Sequence, residues 1–376
     1  MGPARRVRRL AAGAVAAALL TTTTGACSSG DDSSEDDPSE TASADASVEA
    51  LMTVLGTDVI VPAYTDLVDA LEALGTAVDD LCAAPGPASL DAARTAWDTA
   101  SDAWQRTRPV GVGPAMDRRT MSTVAYPARP ADVQEVLTGT EPITAETLAE
   151  GRATARGLPA VELLLFEPDG ADQALATGPP GSRRCAYAAA ATTLATQSAT
   201  EVAADWTGEG GGEPYTDVLA AGVDGDPQSS LSAVVNELAH AMQTIDDQGL
   251  RGIVLASVPD DVPEAQRDGP AGRRVADLRA LLDTVGVVVE GPAGDDGLRA
   301  LVAARSPETA ERLDEALAAA DATVGALPDS ISEALAAPDD LAAAAEDAAA
   351  LKVVLSTEVA SVLGITIGFS DADGDS

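Results

Sequence analysis

The sequence predicts an all-α protein built from two packed helical bundles. Apolar residues recur at alternating steps of three and four, which places them on one face of a helix. Runs of β-branched residues, which favour strands, are scarce outside 285–289. Aromatic residues make up only 2% of the chain, so Leu, Val and Ala are expected to fill the cores. Helices packed on helices bury stripes of this kind.

The first two predicted helices are separated by Pro85-Gly86-Pro87. The first carries a stripe from Tyr64 to Leu81 and has Pro62 near its start, where a proline is tolerated. The second is expected to begin at a cap formed by Ser89, because a serine hydroxyl satisfies the free N–H groups of a first helical turn.

Two further helices complete the first half. Residues 144–166 have a helical pattern interrupted at 157–159, and Ser182 is placed to cap a long Ala-rich helix that runs to Trp206. A Gly-rich stretch then predicts a domain boundary near 210–228. The expected N-terminal bundle is 48–222 and the C-terminal bundle is 223–376, the latter with helices at about 231–245, 272–290, 295–304, 306–327 and 339–363.

The N-terminus has the features of an export signal, expected to be residues 1–26. Basic residues precede an apolar run, 10–20, that is too short to span a bilayer as a helix. Thr24-Gly25-Ala26-Cys27 resembles a bacterial lipobox, in which Cys27 would carry the lipid. The alternative is an ordinary secretory signal with a free cysteine. Residues 27–47, rich in acids and serine, are expected to form a disordered tether, which would leave the folded part at the outer face of the cell membrane.

The chain is strongly acidic, with a formal net charge of −38. Such a charge repels nucleic acid, so that class of partner is excluded. It favours cations or basic partners, and solubility alone is the simpler alternative.

Cys82 and Cys185 are the cysteines that remain after Cys27. In an exported chain two such residues predict a disulfide, and neither lies in a Cys-x-x-Cys redox motif. The predicted bond would join the end of the first helix to the start of the Ala-rich helix.

The segment Arg156–Phe166 carries the most informative polar residue of the chain. Pro159 clashes with a continuing helix, so a helix is expected to restart here with Pro159 in its first turn. Glu162 follows among apolar neighbours. Two interpretations remain open: a capping or ion-paired glutamate, with Arg156 as the partner, or a metal ligand or substrate contact.

This segment resembles the signature of the imelysin family, Gly-x-His-x-x-Glu followed by an apolar run. Gly157 and Glu162 match it, whereas Pro159 stands at the histidine position. The order of other elements is also similar along 55–376. These are Val61-Pro62-Ala63-Tyr64, Trp97 and Trp104, Val112-Gly113-Pro114, Tyr126-Pro127, Arg184-Cys185-Ala186-Tyr187 and Leu363-Gly364-Ile365.

The resemblance implies two bundles related by pseudo-symmetry, with a site between them. It also implies ligand-binding roles for Glu162, Arg156, Gly157 and Pro159. Imelysins include a metallopeptidase and lipoproteins of iron regulation or transport. The resemblance therefore favours a surface lipoprotein for iron or haem acquisition, with iron or another hard cation as the ligand and an iron permease or a haem-dependent peroxidase as partner.

Loss of the signature histidine removes the best ligand of a metallopeptidase site, so a non-catalytic binding protein is expected. The chain has a single histidine, His240, which lies about 180° round its helix from Leu231 and is expected at the surface. The alternatives are a metallopeptidase that uses carboxylates alone, and a scaffold for another envelope protein.

Acidic residues at the C-terminus give one more candidate site. Asp373 and Asp375 precede the end at Ser376, too soon for an EF-hand loop with its closing Glu. They are candidates to bind a cation together with Glu162, and the alternative is a solvated acidic tail.

Overall fold

A computed structural model describes residues 47–166, 182–256 and 268–368. Within these ranges every regular element is a helix and no strand occurs, so the all-α prediction is confirmed. The predictions for Cys27, the signal peptide, Asp373 and Asp375 concern residues outside the described ranges. The same holds for the predicted tether except its last residue, Ser47, which is the first residue of a helix.

The first half contains four long helices and several short ones. The long helices are α1 (Ser47–Ala83), α2 (Pro87–Thr107), α3 (Gly157–Phe166) and α4 (Arg183–Thr207). The short α-helices are Pro114–Asp117, Thr120–Val124, Pro130–Thr138, Ala145–Glu150 and Tyr215–Ala221, and single 3₁₀ turns lie at Arg108–Val110 and Ala153–Ala155.

The second half also consists of long helices joined by short helical turns. Its long helices are α5 (Pro227–Ile245), α6 (Arg274–Glu290), α7 (Leu298–Arg305), α8 (Pro307–Ala326) and α9 (Pro338–Val353). A π turn, Asp246–Leu250, extends α5 into Arg251–Val254, and another, Val354–Val359, extends α9 into Ala360–Leu363. Ile331–Ala334 is a short helix between α8 and α9.

Helix α1 begins earlier than the sequence predicts. It is continuous from Ser47, and a π turn at Leu55–Ile60 comes before Pro62. Proline has no backbone N–H to donate, and the wider π turn before it accommodates the hydrogen bond that is missing. Pro62 therefore lies inside the helix instead of near its start. Among the described residues α1 is the one helix long and apolar enough to cross a membrane. Leu67 and its neighbours on the stripe are buried in the core, which accounts for that composition.

The two predicted helix caps had different outcomes. The Ser182 hydroxyl accepts a hydrogen bond from the Cys185 N–H at 3.3 Å, so this cap is confirmed. The cap at Ser89 is wrong, because α2 begins at Pro87, whose fixed φ suits a first helical position. The Ser89 hydroxyl instead donates to the carbonyl of Ala84 at 2.9 Å.

Packing joins the two halves through a few helices. Helix α1 packs along α2 and α4, and α8 packs along α9. Helix α6 packs against α2, and α5 packs against the turn Arg108–Val110, so these contacts connect the halves. The buried residues, mostly aliphatic, form one continuous cluster across both. The predicted boundary at 222/223 falls in the turn between Tyr215–Ala221 and α5.

The predicted disulfide is confirmed. Cys82 and Cys185 are bonded, with their Cα atoms 5.7 Å apart. The bond ties the C-terminal end of α1 to the first turn of α4 across 103 residues of sequence. Closing a loop of that length restricts the unfolded chain strongly.

Candidate functional site

Helix α3 begins at a glycine that no other residue replaces without strain. Gly157 has φ +73°, and a Cβ there would lie 2.3 Å from the carbonyl oxygen of Val124. Pro159 lies in the first turn of α3, as the sequence predicts. Gly157 and Pro159 therefore fix where α3 starts. Because Glu162 lies five residues after that start, they also fix the side of the helix on which it lies.

Arg156 holds the loops that precede α3. Its guanidinium donates to the carbonyl oxygens of Ser122 at 2.9 Å and Ala149 at 2.7 Å. Burial lowers the pKa of the guanidinium. Arg156 has an extended backbone and precedes the helix. Its side chain binds these loops and does not form the ion pair with Glu162 that the sequence leaves open.

Glu162 lies at the junction of the two halves. Its Oε1 accepts a hydrogen bond at 3.0 Å from the backbone N–H of Ala271, which belongs to the second half. The carboxylate also covers Gly269, where an added Cβ would lie 2.2 Å from Oε1. The carboxylate thus contacts the backbone of the segment 268–272 directly, and this contact requires a glycine at position 269 because a Cβ there would clash with it.

The surroundings of Glu162 favour its protonated form. Burial, the largest effect, raises the pKa of its carboxyl to about 7. The Ala271 N–H and the charge of Arg273 act in the opposite direction, while the carboxylates of Asp277 and Asp268 raise the pKa further. Glu162 therefore changes protonation state close to neutral pH, although part of its surface remains accessible.

Arg273 anchors the segment that contacts Glu162. Its side chain is only 11% exposed and pairs with Asp98 at 3.0 Å, with Asp277 at 3.1 Å and with Asp102. Asp98 and Asp102 lie on α2, whereas Asp277 lies on α6. One guanidinium therefore joins α2 to the residues that lead into α6, directly beside Ala271.

Helix α2 also holds α3 at both ends. The indole N–H of Trp97 donates to the Leu158 carbonyl at 2.9 Å, and the Arg94 side chain donates to the Leu165 carbonyl at 2.7 Å. The Trp97 ring meets Phe166 edge to face at 5.2 Å, and the guanidinium of Arg273 lies 6.0 Å from the Trp97 ring centre. A single helix thus positions both Glu162 and the segment that binds it.

A family model described as imelysin matches residues 60–357. The chain belongs to the imelysin family. An iron-regulated protein A from Synechococcus elongatus is 27% identical over 289 residues, which are 74% of this chain and 76% of the relative.

Two solved structures share the fold. An imelysin-like protein from Psychrobacter arcticum 273-4 superposes with a TM-score of 0.68 at 21% identity, covering 86% of this chain and 97% of the other. A protein from Parabacteroides distasonis ATCC 8503, named as an iron-regulated protein A precursor, gives 0.72 at 16% identity, covering 85% and 95%. At these identities the similarity establishes the imelysin fold alone.

The carboxylates near Glu162 in this imelysin are already engaged. Asp277 accepts from Ser101 at 3.1 Å and pairs with Arg273, while Asp268 accepts backbone N–H groups from Arg274 at 3.1 Å and Ile331 at 2.9 Å. Within 47–166, 182–256 and 268–368, no three His, Cys, Asp or Glu residues are grouped to hold a metal ion. The joint site of Glu162 with Asp373 and Asp375 stays a prediction.

The expected surface position of His240 is wrong. The side chain is partly buried and lines a cavity with Tyr64, Arg108 and Glu237, and burial together with Arg108 lowers the pKa of its imidazole. The predicted apolar stripe of α5 is buried, but the opposite face of this helix also packs, toward the first half of the imelysin. Periodicity marks a second buried face only when that face is apolar.

Sequence reasoning also missed Ala271 and Arg273, the two residues that define the contact with Glu162. The usable signal was Gly272-Arg273-Arg274, two adjacent arginines at a helix start in a chain of net charge −38. Cations are unfavourable near a helix N-terminus, so such a pair indicates carboxylate partners from elsewhere in the fold.

Replacing Glu162 with glutamine tests the protonation of this carboxyl. The folded pKa of about 7 exceeds the ordinary value of 4.5, so the folded imelysin keeps a proton that the unfolded chain has released. The associated stability is complete below about pH 4.5 and is lost as the pH rises to about 7. From pH 5 to pH 8, we expect the wild type to lose up to about 3 kcal/mol relative to Glu162→Gln in urea unfolding.

Glu311→Gln is the matched control, because Glu311 is an exposed acid on α8 far along the sequence from the contact. Its difference from the wild type is expected to stay nearly constant over the same pH range. An equally constant difference for Glu162→Gln would contradict the assigned environment.

Proposed function

We propose that this imelysin is a lipid-anchored, extracytoplasmic binding protein for iron acquisition, with the surface around Glu162 as the contact for iron-bearing cargo. The supporting observation is the position of Glu162, a partly buried residue at the junction of the two halves whose carboxylate accepts a hydrogen bond from a backbone N–H of the second half at 3.0 Å. Arg273 and Trp97 give that junction a rigid base.

The cargo in this proposal is iron that brings ligands of its own, as haem or as a ferric chelate. One carboxyl is insufficient for a bare hard cation, which takes several oxygen ligands. Asp277 and Asp268, the acids whose charges act on Glu162, are already hydrogen-bonded. An iron complex needs only one further oxygen ligand or one hydrogen-bonding partner, which a carboxyl with a pKa of about 7 is able to supply.

A metallopeptidase is less well supported by the chemistry of these residues. The position that a histidine occupies in the imelysin signature is Pro159, which has no metal-binding atom. His240 lines a cavity whose lining does not include Glu162. The described carboxylates near Glu162 leave no second ligand free for a catalytic zinc ion.

The relative from Synechococcus elongatus supports the iron assignment through its name, iron-regulated protein A. We extend that role to this imelysin, with an iron permease or a haem-dependent peroxidase of the envelope as the partner that receives the cargo. The proposed tether, 27–47, would give the folded body reach above the membrane surface.

Cargo binding is tested by calorimetry of the full chain with ferric citrate and, separately, with haemin. We expect one of these probes to bind and Glu162→Gln to weaken its binding by at least about tenfold, because the ionisable oxygen at the junction is lost. Glu311→Gln is the control and is expected to bind like the wild type.

Binding that is equal in wild type and Glu162→Gln would contradict the proposed site, and no binding of either probe would contradict the function. Zinc-dependent cleavage of a denatured protein that vanishes in Glu162→Gln would establish the metallopeptidase in its place.

Lipid anchoring is tested separately in a bacterial host with labelled palmitate. We expect label in the wild type and none in Cys27→Ala, since the thiol of Cys27 is the proposed attachment point. Release of unlabelled wild-type protein into the medium would show an ordinary secretory signal.

A further inference from the structure

The cavity that His240 lines has a volume of about 310 Å³ and lies between the two halves beside α5. Its lining includes Tyr64, Arg108, Thr120, Glu237 and His240, and Glu162 is not part of it. The volume is at the lower end of the range for small-molecule sites in proteins. The cavity is therefore separate from the contact proposed for iron-bearing cargo.

Arg108 gives this cavity a guanidinium that forms no ion pair with a carboxylate of the described residues. Its guanidinium donates to the side-chain oxygen of Gln105 at 3.1 Å, and no carboxylate of the described residues pairs with it. Burial lowers the pKa of Arg108 to about 10, so the group stays charged at neutral pH. The charges of Glu237 and Asp277 act on Arg108 without forming an ion pair, and an anion in the cavity would give this buried cation a direct partner.

Thr120 adds an independent indication of a ligand. The residue is only 1% exposed and lines the cavity, yet its hydroxyl has no hydrogen-bond partner among the residues that the structure describes. A buried hydroxyl left without a partner lowers stability, and hydroxyls donate readily to carboxylate oxygens.

The rest of the lining limits the chemistry of the ligand. Arg119, next to Thr120, adopts a left-handed conformation with φ 53°, which is uncommon for a residue other than glycine, and adds a second cation at the cavity. Trp104, Leu281 and Met121 supply apolar surface. Two arginines against one glutamate favour an anion, even though the whole chain has a charge of −38.

We propose that this cavity binds a small organic carboxylate with an apolar body. The carboxylate is paired with Arg108 and accepts a hydrogen bond from the Thr120 hydroxyl, while the apolar body lies along Trp104 and Leu281. Glu237 lines the same cavity: burial raises the pKa of its carboxyl, and the charge of Arg108 acts in the opposite direction. The charge on Arg108 distinguishes this ligand from a neutral molecule of the same shape.

The probes are phenylacetate and phenylacetamide, which share an apolar body and differ in charge. In calorimetric titration of the full chain we expect phenylacetate to bind at least tenfold more tightly than phenylacetamide. Arg108→Met is expected to abolish this preference. Thr120→Val keeps the shape but removes the hydroxyl, so we expect it to weaken phenylacetate binding about threefold to tenfold.

Two controls make the result specific. Thr120→Val loses no hydrogen bond of the free protein, so it is expected to fold normally, and it decides the question if Arg108→Met fails to fold. Glu162→Gln is expected to bind phenylacetate like the wild type, which separates this site from the iron-binding proposal. The inference is overturned if phenylacetate does not bind, if phenylacetamide binds as tightly, or if Thr120→Val binds phenylacetate unchanged.

Discussion

The guanidinium of Arg273 connects the two halves of this imelysin at the point where the candidate site forms. It pairs with Asp98 and Asp102 on α2 and with Asp277 on α6, and it is only 11% exposed. Asp277 is the most buried of these partners, and loss of Arg273 would leave its carboxylate uncompensated, which destabilises the junction. The segment that precedes α6 is therefore held in one position relative to α2.

The chemistry of Glu162 depends on that position. Helix α2 fixes α3 through Trp97 and fixes the 268–272 segment through Arg273, so the carboxylate and the Ala271 N–H meet at 3.0 Å. Because the segment covers the carboxyl, burial raises the pKa of Glu162 to about 7. A group poised in this way is suited to exchange a proton as charged cargo arrives or leaves.

Local physics explains which features the sequence predicts. The helices, the restart of α3 and the Ser182 cap depend on residues close together in the sequence, namely Gly157, Pro159, Ser182 and the apolar stripes. These features can therefore be predicted from spacing alone. The Cys82–Cys185 bond followed from the scarcity of cysteines. The contact between Glu162 and Ala271 joins residues 109 apart, and its donor is a backbone N–H that every residue type except proline carries. His240 was misplaced for a related reason, because its polar face packs against the other half. Neither contact leaves a periodic trace in the sequence.

Amide hydrogen exchange at Ala271 tests most directly whether the two halves meet at Glu162. The account predicts slow exchange in the wild type, and exchange at least about tenfold faster in both Glu162→Ala and Arg273→Met, because each change releases the segment. Arg312→Met, which removes the ion pairs of Arg312 with Glu308 and Glu358, is expected to leave this amide unchanged. Exchange at the rate of an unstructured peptide in the wild type, or equal protection in all the variants, would contradict the account.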